Sequence, residues 1–497
     1  MKKIQVLIIT LVIILVLGCV TFAALYFATD VFKTDKEMFY KYIGQINLDS
    51  FTNSVENEKY QDRLKAEKYK NEGSVTIKSI IGEQEDINEK FNYVSQVDSS
   101  NKLASSVINI SRDGEELVTI DYLRNEDVYG LKFEDIISQY ISLENNNLKE
   151  FASKLGIQDS TMPDKIELPD STEIISKEEL KQIFDKYIKN VIDQIPETSY
   201  AKVAKADIQL GENTIQADGY SLKIDLKTLQ KITIEILNQL KGDEQVFNLI
   251  SSIMQNAELE QEITLKQYQQ ALDEMINGIS KEAEENFNVI DVIVYKKGKD
   301  LVKTYVKITL EQEGQQENYI DFSIENTDDK SFIKINIVSK QYYNQTINLT
   351  ISKNKDLTEN EECKIVMLMN TDGEENINAN IITRRQGKLS SNSIQNTMEV
   401  SIIVPEQSLQ LSAEYKNNKT FDSNINVEKF NEENHAVINE FSGEQINNLM
   451  SNLSKLISDK TQLNVVDVIG AAGIGILSTS QQNVRKYSFN RRYIGWY

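Results

Sequence analysis

VKTYVKITL (302–310), IDFSIEN (320–326) and FIKINIV (332–338) share one pattern, in which apolar side chains recur at every second position between mostly polar ones. Successive side chains of an extended chain point to opposite faces, so Val302, Thr304, Val306, Ile308 and Leu310 share one side of a strand. Ile320/Phe322/Ile324 and Ile333/Ile335/Ile337 repeat the arrangement. It continues through Ile347/Leu349/Ile351, Ile365/Met367/Met369, Met398/Val400/Ile402 and Leu409/Leu411/Ala413/Tyr415. Strands with one dry and one wet face belong to antiparallel sheets, and Asn288 to Tyr415 is expected to form one large sheet of that kind.

On the C-terminal side, Ile446, Leu449, Met450, Leu453 and Ile457 fall at helical spacing near Gly443 to Ser458, which predicts an amphipathic helix able to cover the dry face of that sheet. On the N-terminal side, three helices are predicted from Leu229/Ile232/Ile236/Leu240, Val246/Phe247/Ile250/Ile253/Met254 and Leu265/Tyr268/Leu272/Met275/Ile276/Ile279, with Gly242 and Gly278 near their ends. A two-stranded piece, Tyr200 to Leu210 and Ile215 to Leu226, precedes them. Ser176-Lys177-Glu178-Glu179 reads as a capping box opening a helix with Leu180, Ile183, Phe184, Tyr187, Ile188, Val191, Ile192 and Ile195 on one face, stopped by Pro196. Pro163 and Pro169 mark a connecting loop. Farther back, Val75/Ile77, Phe91/Tyr93/Val97, Val118/Ile120/Tyr122 and Tyr129/Leu131/Phe133 predict a meander, with turns at Asp113-Gly114 and Asn125-Glu126-Asp127. Ile136, Ile137, Tyr140 and Ile141, and then Leu148, Phe151 and Leu155 before Gly156, are spaced as helices.

At the start, Ile4 to Phe27 carries no charge after Met1-Lys2-Lys3 and reaches roughly 36 Å as a helix, enough to cross a bilayer core of about 30 Å. Lys2 and Lys3 place the N-terminus in the cytoplasm and the bulk outside. The expectation is a signal anchor. Val16-Leu17-Gly18-Cys19 resembles a lipobox, so lipidation of Cys19 is the alternative, and a cleaved secretory peptide is a third reading. Thr34-Asp35-Lys36-Glu37 is a capping box, followed by a short helix with Met38, Phe39, Tyr42, Ile43 and Ile46 on one face, expected to pack on a domain rather than lie on the bilayer. Residues 47–73 read as a linker or a second helix.

The fold class is therefore α+β: an N-terminal transmembrane helix followed by antiparallel meander sheets covered by amphipathic helices, without the strand–helix alternation of α/β proteins. The segments are 1–33 (stub and anchor), 34–73 (juxtamembrane helix and linker), 74–196 (first α+β domain), 197–286 (two-stranded and helical) and 287–497 (large sheet, helix and tail).

The 497 residues carry a formal charge of −22, with a pI near 4.7. That balance argues against nucleic-acid binding, which needs Lys and Arg to displace phosphate counterions. Cys19 and Cys363 are the two cysteines, so the part outside the anchor has no internal disulfide. His435 is the single histidine, which excludes multi-histidine metal sites; with no Gly-x-Ser-x-Gly elbow beside it, His435 reads as an ordinary loop residue. Asn370-Thr371-Asp372-Gly373 lacks the ligands of an EF-hand loop, and Gly470-Ala-Ala-Gly473-Ile-Gly475 lacks the Lys-Ser/Thr of a phosphate loop. No cofactor is implied. Carboxylates are abundant enough that a hydrolytic pair remains conceivable, because such pairs are defined by separation in space. In the tail, Arg485, Lys486, Arg491 and Arg492 interleave with Tyr487, Phe489, Tyr493, Trp496 and Tyr497. This is a candidate contact tail for an anionic polymer, lipid head groups or an acidic partner, set against the simpler reading of a segment docked on its own acidic domain.

The Lys2-Lys3 start and single span, Thr34-Asp35-Lys36-Glu37-Met38-Phe39-Tyr40, and Tyr220-Ser-Leu-Lys-Ile-Asp-Leu226 feeding a helix that ends Gln239-Leu-Lys-Gly-Asp-Glu244, together resemble uncharacterised single-pass extracytoplasmic proteins of low-GC Gram-positive bacteria, of the domain-of-unknown-function kind. That resemblance implies no activity. Long strands with covering helices also resemble the open half-barrels of envelope lipoprotein carriers, which hold acyl chains on the dry face of a sheet. The functional expectation is a membrane-anchored, non-enzymatic cell-envelope protein binding a protein or surface polymer. The alternatives are a carrier or sensor of an amphipathic ligand and a carboxylate-pair hydrolase.

Overall fold

The computed structural model describes residues 34–45, 54–82, 84–134, 136–146, 148–154, 165, 186–187, 191–256, 264–279, 288–313, 316–339, 344–354 and 360–461. In chain order these form α1 (Asp35–Ile43), α2 (Ser54–Ala66), β1 (Lys68–Ile81), β2 (Gln84–Asp98), β3 (Leu103–Arg112), β4 (Glu115–Asn125), β5 (Val128–Phe133), β6 (Tyr140–Glu144), α3 (Leu148–Lys154), β7 (Tyr200–Leu210) and β8 (Asn213–Asp225). The helices α4 (Leu226–Leu240), α5 (Glu244–Asn256) and α6 (Leu265–Ile279) follow, then β9 (Asn288–Lys297), β10 (Asp300–Glu313), β11 (Gln316–Asn326), β12 (Lys330–Ser339) and β13 (Gln345–Asn354). The chain continues with β14 (Asn360–Thr371), β15 (Glu374–Gln386), β16 (Ser393–Val404), β17 (Leu409–Phe421), β18 (His435–Val437) and α7 (Gly443–Thr461). The predicted span Ile4–Phe27 with Cys19, Pro163 and Pro169, the capping box at Ser176, the Gly470–Gly475 stretch and the tail residues Arg485, Lys486, Arg491, Arg492 and Trp496 lie outside the described residues. Among the described residues, no helix is long and apolar enough to cross a membrane.

Two compact units emerge. The first comprises residues 1–51, 169–355 and 366–376, and the second 52–168, 356–365 and 377–497.

In the first unit, β7 to β13 pair antiparallel in chain order, with α4–α6 inserted between β8 and β9. The capping box predicted for α1 is present: Glu37 N donates to Thr34 Oγ1 (3.2 Å) and Thr34 N donates to Glu37 Oε2 (3.1 Å). Asp225 accepts from Thr228 N (2.7 Å) and opens α4, which fixes where strand β8 becomes helix. Phe39, Tyr40, Tyr42 and Ile43 of α1 join Ile232, Ile236 and Leu237 of α4 and Tyr268 and Leu272 of α6 in one core over Leu222, Ile224, Ile290, Val292 and Val306. So α1 packs on a domain, and the domain is built from strands about 160 residues downstream in the chain: Tyr40 and Tyr200 hydroxyls meet at 2.7 Å across 160 positions.

In the second unit, the four strands expected of the meander, β1, β2, β4 and β5, are joined by β3 and β6, and β17 closes beside β1 with Tyr69 opposite Phe421 and Ile81 opposite Leu409. β16 and β15 extend that edge, and β18 pairs parallel with β6 at the other. Asp113 (φ 51°) and Gly114 (φ 85°) both take left-handed backbone, the tight hairpin expected from an Asp-Gly pair.

Three expectations are corrected. Tyr140 and Ile141 belong to strand β6, because Leu131 pairs with Ile141 and Tyr129 with Leu143; Ile136 and Ile137 fill the core beside it, so their spacing reflects packing and not a helix. His435 lies in the short strand β18, not a loop, with its Nδ1 2.6 Å from Asn431 O and its ring against Phe430. Finally, α7 covers mainly the strands of the meander: Leu449, Leu453 and Ile457 pack on Phe91, Tyr93, Ile108, Ile110, Val118 and Ile120 of β2–β4, with Tyr415 of β17 from the expected sheet beside them. A Ser442/Gln445 capping box starts that helix, with Gln445 N to Ser442 Oγ at 3.2 Å and Ser442 N to Gln445 Oε1 at 2.8 Å.

Candidate functional site

The apolar alternation of the first unit becomes a surface through register. Leu222, Val292, Val306, Phe322, Ile335 and Leu349 stand directly opposite one another across six strands. A second row runs Ile224–Ile290–Ile308–Ile320–Ile337–Ile347, and a third Tyr220–Val294–Thr304–Ile324–Ile333–Ile351. Beneath the helices, Leu222, Val292 and Val306 are 0, 1 and 5 % exposed. Beyond β10 the same rows continue over β11–β13 with partly exposed side chains, Ile337 reaching 37 %. Among the described residues, the packing of α1, α4, α5 and α6 ends at β10 and Phe322. The result is an aliphatic face three strands wide.

The opposite face of β10–β12 is occupied by charge. Glu325 is fully buried and accepts from Lys303 Nζ (2.8 Å), Lys334 Nζ (2.8 Å), Gly211 N (2.8 Å) and Ser323 Oγ (3.1 Å). Burial alone pushes its carboxyl up, but the two ammonium groups and the Gly211 amide outweigh this and hold it below the ordinary range. Along the same face, Lys307 stands between Asp291 and Asp321, whose carboxyls burial raises despite Lys223 beside the first and Asn336 beside the second. The β7–β8 turn docks here through Gly211, against Phe332 and Thr327. One face of the strands is therefore laced with ion pairs around Glu325, and the other is apolar and, among the described residues, only partly covered.

In the second unit a groove of about 330 Å³ opens over β1, β15, β16 and β17, lined by Thr76, Lys78, Asn380, Ile382, Glu399, Ser401, Ser412 and Glu414. Glu399 and Glu414 are cross-strand partners, the one close carboxylate pair of this groove. Each has a cation: Arg384 Nη1 is 2.5 Å from Glu399, and Lys416 Nζ is 2.7 Å from Glu414. Arg384 also contacts Glu362 at 2.8 Å, so the side chains form a charge ladder across strands.

Of the residues singled out from the sequence, His435 bonds Asn431 O and stands opposite Tyr140 of β6, Asp372 (φ 53°) and Gly373 (φ 90°) form the β14–β15 turn, and Cys363 is a partly buried thiol in β14. No group of three or more His, Cys, Asp and Glu placed to hold a metal occurs among the described residues. The Glu325 cluster was not visible in advance, because its ligands come from four separate strands and turns and have no common spacing.

A family model described as a family of unknown function (DUF6583) matches residues 1–468. The chain belongs to this family. No curated protein matches this DUF6583 member. Among solved structures it is similar to the CymD monoaromatic hydrocarbon channel, at 6 % identity and a TM-score of 0.21, over 76 % of this chain and 94 % of that one. It is also similar to Wzi, an outer-membrane protein of Escherichia coli involved in group 1 capsule assembly and described as a carbohydrate-binding β-barrel, at 6 % identity and a TM-score of 0.21, over 80 % and 90 %. A loop-deletion mutant of the outer-membrane protein OmpT of Vibrio cholerae matches at 4 % identity and a TM-score of 0.15, over 71 % and 98 %. TM-scores at this level carry no argument about fold or function.

Proposed function

We propose that this DUF6583 member is a membrane-anchored, extracytoplasmic, non-enzymatic binding protein whose open aliphatic sheet face holds an amphipathic ligand, a lipid in particular. The single observation behind the reading is the continuation of the core rows past their helical cover, where Phe322, Ile335 and Leu349 extend the line of Leu222, Val292 and Val306. A contiguous apolar face of this kind on a soluble protein marks an interaction site. Lipid is the favoured occupant because the sequence predicts a span at Ile4–Phe27 that holds the chain at a bilayer, and because the face is built almost entirely from Ile and Leu, without polar groups to orient a more polar ligand. The Glu399–Glu414 pair is embedded in a charge ladder with Arg384 and Lys416.

The test is photocrosslinking. The full chain is reconstituted in vesicles carrying a diazirine phospholipid, irradiated, digested and mapped by mass spectrometry. Labelling is expected in peptides of β11–β13 and should drop in Ile335→Glu and Leu349→Glu. Labelling confined to the predicted span would remove the reading, and crosslinks joining two copies through β11–β13 would replace the lipid with a second chain.

A further inference from the structure

The first unit contains a groove whose charge opposes that of the chain. It measures about 850 Å³ and is lined by Lys202, Lys205, Lys296 and Lys297, with Asp218 as the one carboxylate of its wall. A β-bulge makes the space: Val203 pairs with Gly219 and Ala206 with Ala217, so Ala204 and Lys205 together face Asp218 and the strand bends there. Lys296 is built into the structure. Its side chain is only 15 % exposed, lies 3.0 Å from Asp218 Oδ2, and sits 5.7 Å from the centroid of the Tyr42 ring, which itself stacks on Tyr220.

Asp218 neutralises Lys296. Lys202, Lys205 and Lys297 are exposed and have no ion-pair partner among the described residues, although Asp300 stands opposite Lys297 at the hairpin end. The lining therefore keeps the charge of three lysines beside the paired Lys296, and a multivalent anion would be drawn to it. We propose that this groove binds a phosphate-bearing anion. Lysines act as flexible point charges that suit phosphate oxygens, and the volume exceeds that of a single small ion, which favours a phosphate ester or diester. The location adds a source. Tyr42 belongs to α1, whose cap Thr34 follows the end of the predicted span, Phe27, by a stretch that reaches at most about 25 Å when extended. A lipid head group and a soluble phosphate ester therefore both come within range. The inference does not depend on the aliphatic face.

The test is lysine footprinting. The full chain is placed in nanodiscs of pure phosphatidylcholine, alone or with sodium tripolyphosphate, and in nanodiscs containing one third phosphatidylglycerol. Acetylation rates of Lys202, Lys205 and Lys297 are measured by mass spectrometry against Lys231 and Lys266 on α4 and α6. Protection of about fivefold is expected where free anion exceeds its dissociation constant roughly fourfold. Protection by tripolyphosphate identifies a soluble ester as the source, and protection only with phosphatidylglycerol identifies the head group. Lys205→Gln combined with Lys297→Gln should return the Lys202 rate to its unprotected value. Equal slowing of all five lysines, or no slowing in either arm, overturns the proposal.

Discussion

Replacing Lys419 by Met should stabilise the second unit at neutral pH and lose that advantage in alkali. Lys419 lies on the apolar side of β17, opposite Asn71 and Ile394, with its Nζ 4.6 Å from the Tyr69 ring centroid and 5.5 Å from that of Tyr60. Burial pulls its ammonium down from the ordinary 10.5 to about 8. At 1.36 kcal/mol per tenfold, holding the charge there at pH 7 costs about 3 kcal/mol. The cation–π contacts, worth about 1 kcal/mol, are too weak to reverse this, so burial wins and Lys419→Met gains about 3 kcal/mol. The sign with pH follows from proton binding. Between about 8 and 10.5 the unfolded chain holds a proton that the folded chain has lost, so wild-type stability rises with pH across that window and the Met variant's does not. The difference between the two should be full below pH 8 and close to zero above 10.5. Urea unfolding of the full chain in mild detergent, read by proteolytic susceptibility of β16–β17 peptides, measures it. A variant less stable at pH 7, or a gain that stays constant to pH 10.5, would refute the reasoning.

Glu325→Ala leaves Lys303 and Lys334 facing one another without their carboxylate and should cost about 3–5 kcal/mol, seen as early urea unfolding of β10–β12 in hydrogen exchange. Glu325→Gln, which keeps the shape, should cost less. Gly219→Ala places a Cβ 1.9 Å from Val294 O, so β8 and β9 must part; a fall in melting temperature is expected, whereas Gly278→Ala, with nothing within 4 Å, should leave it unchanged or raise it. Asp98 is held at about 2: burial pushes it up, and hydrogen bonds from Asn101, Ser100 and Lys68 more than reverse this. Its stabilising contribution is present above the ordinary 3.8 and lost as pH falls toward 2, so Asp98→Asn should remove that acid dependence in circular-dichroism titrations.

Period and caps carried the local structure. The alternation in 302–338 announced β10–β12, and Thr34–Glu37 and the apolar spacing after Leu226 announced α1 and α4. Besides β6 and β18, strands β3 and β15 escaped. In β3, Ser106 sits inward and bonds the Ser95 hydroxyl at 2.8 Å, so a polar residue stands where the pattern expects an apolar one. In β15, Asn378, Asn380, Arg384 and Arg385 break the contrast between faces. Ile136–Ile141 misled because residues packing a corner can imitate helical spacing over so short a stretch.

Sequence by itself determined which residues are extended, which are helical and which side of each is dry, because those properties depend on neighbours a few positions away. It also set the −22 charge and the apolar stretch at Ile4–Phe27. Pairing was left to the tertiary structure, since strand partners are chosen by register and burial over the whole chain and carry no local mark. Only there does β17 meet β1, does α7 cover β2–β4, and do three core rows run across six strands past their described helical cover, to Leu349, Ile347 and Ile351. The four lysines of the bulged groove, scattered from 202 to 297, likewise become one site only when β7, β8 and β9 lie side by side.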